Sequence, residues 1–118
     1  MDTVFIRDLR LDVVIGVFDW ERQVQQKISI DLEMANDNKV PAQSDALSDT
    51  LDYKAISQRI RQIAEENQPQ LVETLIELIA TTIMQEFGVP WLRLSIAKPG
   101  AVRGSAAVGV TIERGTMP

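Results

Sequence analysis

Between Ile28 and Met34 the chain alternates without a slip. Ile28, Ile30, Leu32 and Met34 are apolar, and Ser29, Asp31 and Glu33 between them are polar. A period of two sends successive side chains to opposite faces, so this stretch predicts a strand with one dry face and one solvated face. The dry face must be covered by other elements, and the rest of the chain has to provide them.

Thr3 to Ile15 is rich in Val, Ile and Leu and predicts a second strand, bent near Asp8 where the alternation slips and broken at Gly16. Gly16 to Gln26 is too long for a two-residue turn and fits a wide hairpin between the two strands. Asn36 to Asp52 is polar, contains Pro41, and is expected to be a loop. From Tyr53 to Glu66, Ile56, Ile60, Ile63 and Ala64 recur at three- and four-residue steps, with Asp52 as N-cap, and predict a helix. Asn67, Gln68 and Pro69 interrupt it. A second helix is expected from about Pro69 to Phe87, with Leu71, Leu75 and Leu78 in one row and Val72, Ile76, Ile79 and Ile83 in the next. Gly88 and Pro90 close it. Trp91 to Lys98 carries Leu92, Leu94 and Ile96 on one face, and Ala107 to Arg114 carries Val108, Val110 and Ile112. The order is β-β-α-α-β-β. It predicts an α+β fold, an antiparallel four-stranded sheet with two helices on one face. No repeat, low-complexity tract or linker divides the chain, so residues 1–118 are expected to form one domain.

Two absences narrow the chemistry. The chain has no cysteine and no histidine. Disulfides, thiolate ligands and Cys/His zinc sites cannot be built, nor can Ser-His-Asp or Cys-His nucleophile systems. Proton transfer in an enzyme of this composition falls to Lys, Tyr, Asp, Glu or water. A net charge of −5 argues against nucleic acid as the main partner. The opening, MDTVFIRDLR, has charges at Asp2, Arg7 and Asp8 and lacks the apolar core of a signal peptide. No apolar run approaches the ~18 residues of a membrane span, and the expected location is the cytoplasm. A chain of 118 residues buries a limited fraction of its surface, which favours self-association.

Lys98 stands out on pattern alone. Parity puts it on the face of Leu92, Leu94 and Ile96, where an ammonium either snorkels to solvent or sits partly desolvated. Desolvation makes a lysine usable as proton donor and acceptor near neutral pH. The small residues from Pro99 to Ala107 either serve a hairpin or let backbone N–H groups approach a ligand. Glu73, in the first turns of the second helix, either complements the helix dipole or accepts two parallel N–H donors from a guanidine-like ligand edge. Tyr53 either packs on the sheet or relays a proton. Glu21 reads on pattern as a solvated loop charge, as do Asp45 and Asp49, and Asp31 and Glu33 read as a solvated strand face. Gly100 to Gly104 is too loose to be a phosphate-cradling motif.

Four segments together resemble the dihydroneopterin aldolase family. They are Ile15–Gly16–Val17–Phe18–Asp19–Trp20–Glu21, Ser44 to Tyr53, Leu71–Val72–Glu73, and Lys98–Pro99–Gly100–Ala101–Val102 followed by Val108–Gly109–Val110 and Ile112–Glu113–Arg114. The resemblance spans nearly the whole chain, with the motifs in order. It departs at Pro69, where family members commonly carry Phe, and at Ile76, where Ala is common.

The resemblance implies the tunnelling fold, in which four subunits join their sheets into a sixteen-stranded barrel and two rings stack into a homo-octamer. It implies a site shared by neighbouring subunits and retro-aldol cleavage of 7,8-dihydroneopterin, without metal or other cofactor. In that site Glu73, helped by the Val72 backbone, binds the pterin edge. Lys98 is the general acid/base, Tyr53 assists proton transfer, Glu21 orients groups near the substrate side chain and Lys98, and Val17 and Phe18 lie close by. Tyr53 and Glu21 are expected from the adjacent subunit. The zinc cyclohydrolases and pterin synthases of the same fold need ligands that are missing here. The nearest alternative is dihydroneopterin triphosphate 2′-epimerase, which handles a triphosphate for which the sequence has no obvious cation cluster. An alternative of another class is a non-catalytic self-associating module, in which Lys98 and Glu73 are surface charges.

Overall fold

The computed structural model describes residues 1–118. Its strands are β1 (Thr3–Val13), β2 (Gln26–Ala35), β3 (Trp91–Pro99) and β4 (Ala107–Gly115). They form one antiparallel sheet in the order β1-β2-β3-β4. The alternation of β2 holds: Ile28, Ile30, Leu32 and Met34 are all buried, while Asp31 is exposed. Opposite them in β3 lie Ile96, Leu94 and Leu92, in register with Ile30, Leu32 and Met34.

The slip in β1 is a β-bulge between Ile6 and Leu9, with Asp8 in the left-handed region at φ 55. The extra residue rephases the strand. Val4 and Ile6 before it, and Leu9, Leu11 and Val13 after it, all pack on the core. The Asp8 amide donates to Asp31 Oδ1 at 2.6 Å, and the Ser29 hydroxyl donates to Asp8 Oδ1 at 2.6 Å. These bonds offset the cost of positive φ at a non-glycine residue.

A short helix, α1 (Lys39–Ser44), falls where the sequence predicts a loop, and a single 3₁₀ turn, Leu47–Asp49, follows it. The expectation rested on the polarity of the segment and on Pro41. That residue occupies the first turn of α1, where its missing N–H costs no intrahelical bond. The long helices are α2 (Tyr53–Asn67) and α3 (Val72–Phe87). Asp52 caps α2 by accepting the Ala55 N–H at 3.1 Å. Ile56, Ile60, Ile63 and Ala64 of α2 and Leu75, Ile76, Ile79, Ala80 and Ile83 of α3 close the core over the sheet. The second helix starts at Val72, later than the expected Pro69, and Leu71 just outside it is exposed.

The opposite sheet face is polar, with Lys27 paired to Asp12 at 3.2 Å and Ser95 bonded to Thr111 at 2.8 Å. This architecture sets which ends of elements meet. Helix α3 runs antiparallel to the strand that follows it, so its N-terminus lies over the C-terminal end of β3, where Lys98 sits. The β1–β2 connection reaches the same end: the Gly16 N–H donates to Gln70 O at 2.9 Å.

Ile79 is fully buried between helix and sheet. Ile79→Ala is expected to destabilise the fold by about 2–5 kcal/mol, and Ile79→Val by about 0.5–1.5 kcal/mol. Urea unfolding checks both, as lowered midpoints with unchanged slope.

Candidate active site

Glu21 is 5% exposed although it lies in the loop between β1 and β2. The reading of a solvated loop charge is therefore corrected. A 3₁₀ turn, Asp19–Gln23, directs the side chain inward, and Gly16 leaves room for it. Gly16 has φ 124, and a Cβ on it would fall on the Glu21 carboxyl group. Only glycine meets both demands.

Buried carboxylates need partners for every oxygen, and Glu21 has them. Oε2 accepts from Lys98 Nζ at 2.6 Å and from Gln26 Nε2 at 2.9 Å. Oε1 accepts from the Phe18 N–H at 3.3 Å. Gln26 is itself fixed by donating to Ile15 O at 2.7 Å. The Lys98 and Gln26 hydrogen bonds, Lys98 first, hold the Glu21 carboxyl down at about 2 against an ordinary 4.5, outweighing its burial. Lys98 also follows its expected parity, and its side chain is 17% exposed. Snorkelling into solvent is excluded, because the ammonium is held inside an ion pair.

The pair forms within one chain. The expectation that Glu21 reaches Lys98 from an adjacent subunit is corrected, since the β1–β2 loop folds back over the end of β3 of the same chain. Arg22, next in sequence, faces the other way and donates to the carbonyls of Gly16 at 3.1 Å, Pro69 at 3.3 Å and Gln68 at 2.5 Å.

Val72 and Glu73 open α3 at this end of the molecule. Glu73 is exposed and enters none of the chain's ion pairs. Val17 and Phe18 are exposed beside Glu21 in the loop. Tyr53 is not brought to this cluster. It sits at the N-terminus of α2, and the fifteen residues of that helix put it roughly 22 Å from the C-terminal end that Arg22 holds. There it is 57% exposed and lines a separate groove with Leu47, Leu51 and Asp52.

Sequence reasoning missed Gln26 and Arg22. Gln26 was legible only as the start of β2, since an amide carries no charge pattern to flag it. Arg22 stood beside a carboxylate in a polar loop and gave no periodic signal.

The sequence model of the family described as "FolB: Dihydroneopterin aldolase" matches residues 4–113. The chain belongs to the dihydroneopterin aldolase family. It is 44% identical to the dihydroneopterin aldolase of Escherichia coli K12, over 98% of this chain and 94% of that one. Identity to the Haemophilus influenzae dihydroneopterin aldolase is 38%, over 99% of each. Among solved structures, the E. coli dihydroneopterin aldolase in complex with neopterin superposes with a TM-score of 0.94 at 43% identity, covering 98% of this chain and 100% of that one. Full coverage in both directions means that every element of the site described above falls inside the family's extent.

The Glu21 carboxyl is lowered on folding, so its stabilising contribution is fully present above the unfolded value of 4.5 and fades as pH falls from there towards about 2. Glu21→Gln is expected to lose less stability than the wild-type chain between pH 5 and pH 2, measured as urea midpoints across that range. An equal loss in both would remove Glu21 from the acid response.

Proposed function

We propose that the chain cleaves 7,8-dihydroneopterin by a retro-aldol reaction, releasing glycolaldehyde and 6-hydroxymethyl-7,8-dihydropterin. The observation that carries this reading is the enclosed Glu21–Lys98 pair beside the N-terminus of a helix whose Glu73 carboxylate stands free. Membership of the family and the neopterin bound to the E. coli relative support it.

Each residue then has a role that its chemistry permits. Glu73 accepts the 2-amino and ring N–H donors of the pterin as a bidentate pair, favoured by the positive end of α3, with the Val72 backbone alongside. Lys98 is the general acid/base, acting through a bound water, and Glu21 holds its ammonium in place. A base takes the proton of the 2′-hydroxyl. The C1′–C2′ bond breaks, its electron pair passes into the dihydropterin C=N system, and glycolaldehyde leaves. Protonation of C1′ completes the second product. The pterin ring is the electron sink, so the reaction asks for no lysine Schiff base and no metal. The same fragments recombining would invert C2′, which makes 2′-epimerisation a side activity of this proposal.

Tyr53 joins from a neighbouring copy. Its place at the start of α2, a helix length from the end that Arg22 holds beside Glu21, favours this. Four copies joining free β1 and β4 edges would close a barrel, with two such rings forming an octamer and the polar sheet face lining the lumen. Closure would leave no exposed strand edge. No helix of the chain is long and apolar enough to cross a membrane, and a cytoplasmic location goes with this reading.

The test is anaerobic incubation with 7,8-dihydroneopterin in EDTA, with products followed by chromatography. Both products are expected from the wild-type chain and neither from Lys98→Ala. Glu73→Ala should lose pterin binding while keeping its oligomeric state. Inverted substrate without cleavage would transfer the assignment to an epimerase. For the shared site, Tyr53→Ala and Lys98→Ala are each expected to be inactive alone. Refolded together, they should regain part of the activity, because some sites then combine an intact Tyr53 with an intact Lys98. No recovery on mixing would overturn the shared site.

A further inference from the structure

Two separate pieces of backbone carry the site. The β1–β2 connection carries Glu21, which fixes Lys98. The α2–α3 connection leads directly into Val72 and Glu73. The core seats α3 over β3 and so fixes the backbone of Glu73 and Lys98, but it does not dictate how the β1–β2 connection that carries Glu21 is set against the chain entering α3. What joins them is a small set of polar contacts, and Arg22 supplies most of it. Its guanidinium reaches Gly16 O on the first piece and Gln68 O and Pro69 O on the second. The one further link is the Gly16 N–H bonded to Gln70 O at 2.9 Å, three residues before Glu73.

We propose that Arg22 is a positioning residue that sets the Glu21 loop, and through Glu21 the Lys98 ammonium, against the Glu73 end of α3. It touches neither substrate nor reacting atoms. The geometry of the guanidinium suits the task. Its planar fork reaches three acceptors at once, and charge-assisted bonds to carbonyls are stronger than neutral ones. Gln68 is the left-handed cap of α2 at φ 42, so the cation also sits at the negative end of that helix. An ammonium could supply the charge but not the fork. The inference rests on the reaction proposed above, because it needs a ligand that spans both halves.

That spanning is also what the test exploits. Pterin itself carries only the ring and would meet the Glu73 half. Neopterin carries ring and side chain and would meet both. In the wild-type chain neopterin is expected to bind more tightly than pterin. In Arg22→Ala the pterin affinity should stay within about twofold, the advantage of neopterin should vanish, and kcat for 7,8-dihydroneopterin should fall about 10- to 100-fold, as expected when reacting groups are held roughly 1 Å out of place. Arg22→Lys should recover thermal stability through its charge but not kcat, and it decides the matter if Arg22→Ala does not fold. A purely structural role would lower pterin and neopterin affinity together, in step with stability, and that result overturns the proposal. So does wild-type kcat in either variant. A wild-type chain that binds neither ligand overturns the proposed function, and the positioning role with it. Failure of the positioning role alone is distinguished by variants that bind and cleave like an active wild type.

Discussion

Burying a carboxylate beneath a loop is costly unless each of its oxygens finds a donor. At Glu21 that demand reaches into four parts of the chain. Gly16 must lack a side chain, Phe18 must offer its amide, Gln26 must point back from the start of β2, and Lys98 must arrive at the end of β3. The last two lie on neighbouring strands of the sheet, so the cluster depends on β2 and β3 being paired in this register. The site is therefore a consequence of the sheet, and the hairpin between β1 and β2 is shaped by the charge it covers. Removing one partner would leave the other charge half-buried and unpaired, which is far more damaging than losing a surface pair.

The sheet and both long helices were legible because their cause is periodic. Ile28 to Met34 and Ile56 to Ala64 repeat at the spacing of the element they form, and burial on one face follows from that spacing alone. The bend at Asp8 was visible as a slip in the same pattern. Helix α1 was not, because it buries no residue and so has no apolar stripe to display. The site divides along the same line. Lys98 could be found by parity, since it ends an apolar row. Glu21 could not, because nothing local distinguishes a loop glutamate that is buried from one that is solvated. Its burial depends on Gly16 five residues earlier and Lys98 seventy-seven residues later, and the family resemblance drew attention to it where the pattern did not.

The absence of histidine and cysteine gives the ion pair its chemical meaning. A site restricted to lysine, tyrosine and carboxylates can move protons and hold them in place, but it offers no soft nucleophile and no imidazole. Such a site suits a substrate that carries its own electron sink, and a dihydropterin does. The proposed division of labour asks little of the protein beyond orientation: one carboxylate to seat the ring, one amine to exchange protons, and one carboxylate to keep that amine from wandering. Orientation is also where rate is most sensitive to small displacements, which is why contacts remote from the substrate, such as those of Arg22, carry weight in this site.

The single chain leaves several apolar side chains uncovered. Val17, Phe18 and Trp20 project from the β1–β2 connection, Leu47 from the region before α2 and Tyr53 from its first turn. The two groups are set apart by the length of α2, since Arg22 of the first connection holds the C-terminal end of that helix and Tyr53 stands at its start. Surfaces a helix length apart on one chain do not cover each other, yet they could meet if a second copy is displaced along the sheet edge. In that arrangement Tyr53 of one copy would approach Phe18, and with it Glu21 and Lys98, of the next. The same contact that hides apolar surface would then complete the proton-transfer group, so assembly and activity would stand or fall together. A chain of this size, with two free strand edges and a core on only one side of its sheet, has a physical reason to associate that is independent of its chemistry.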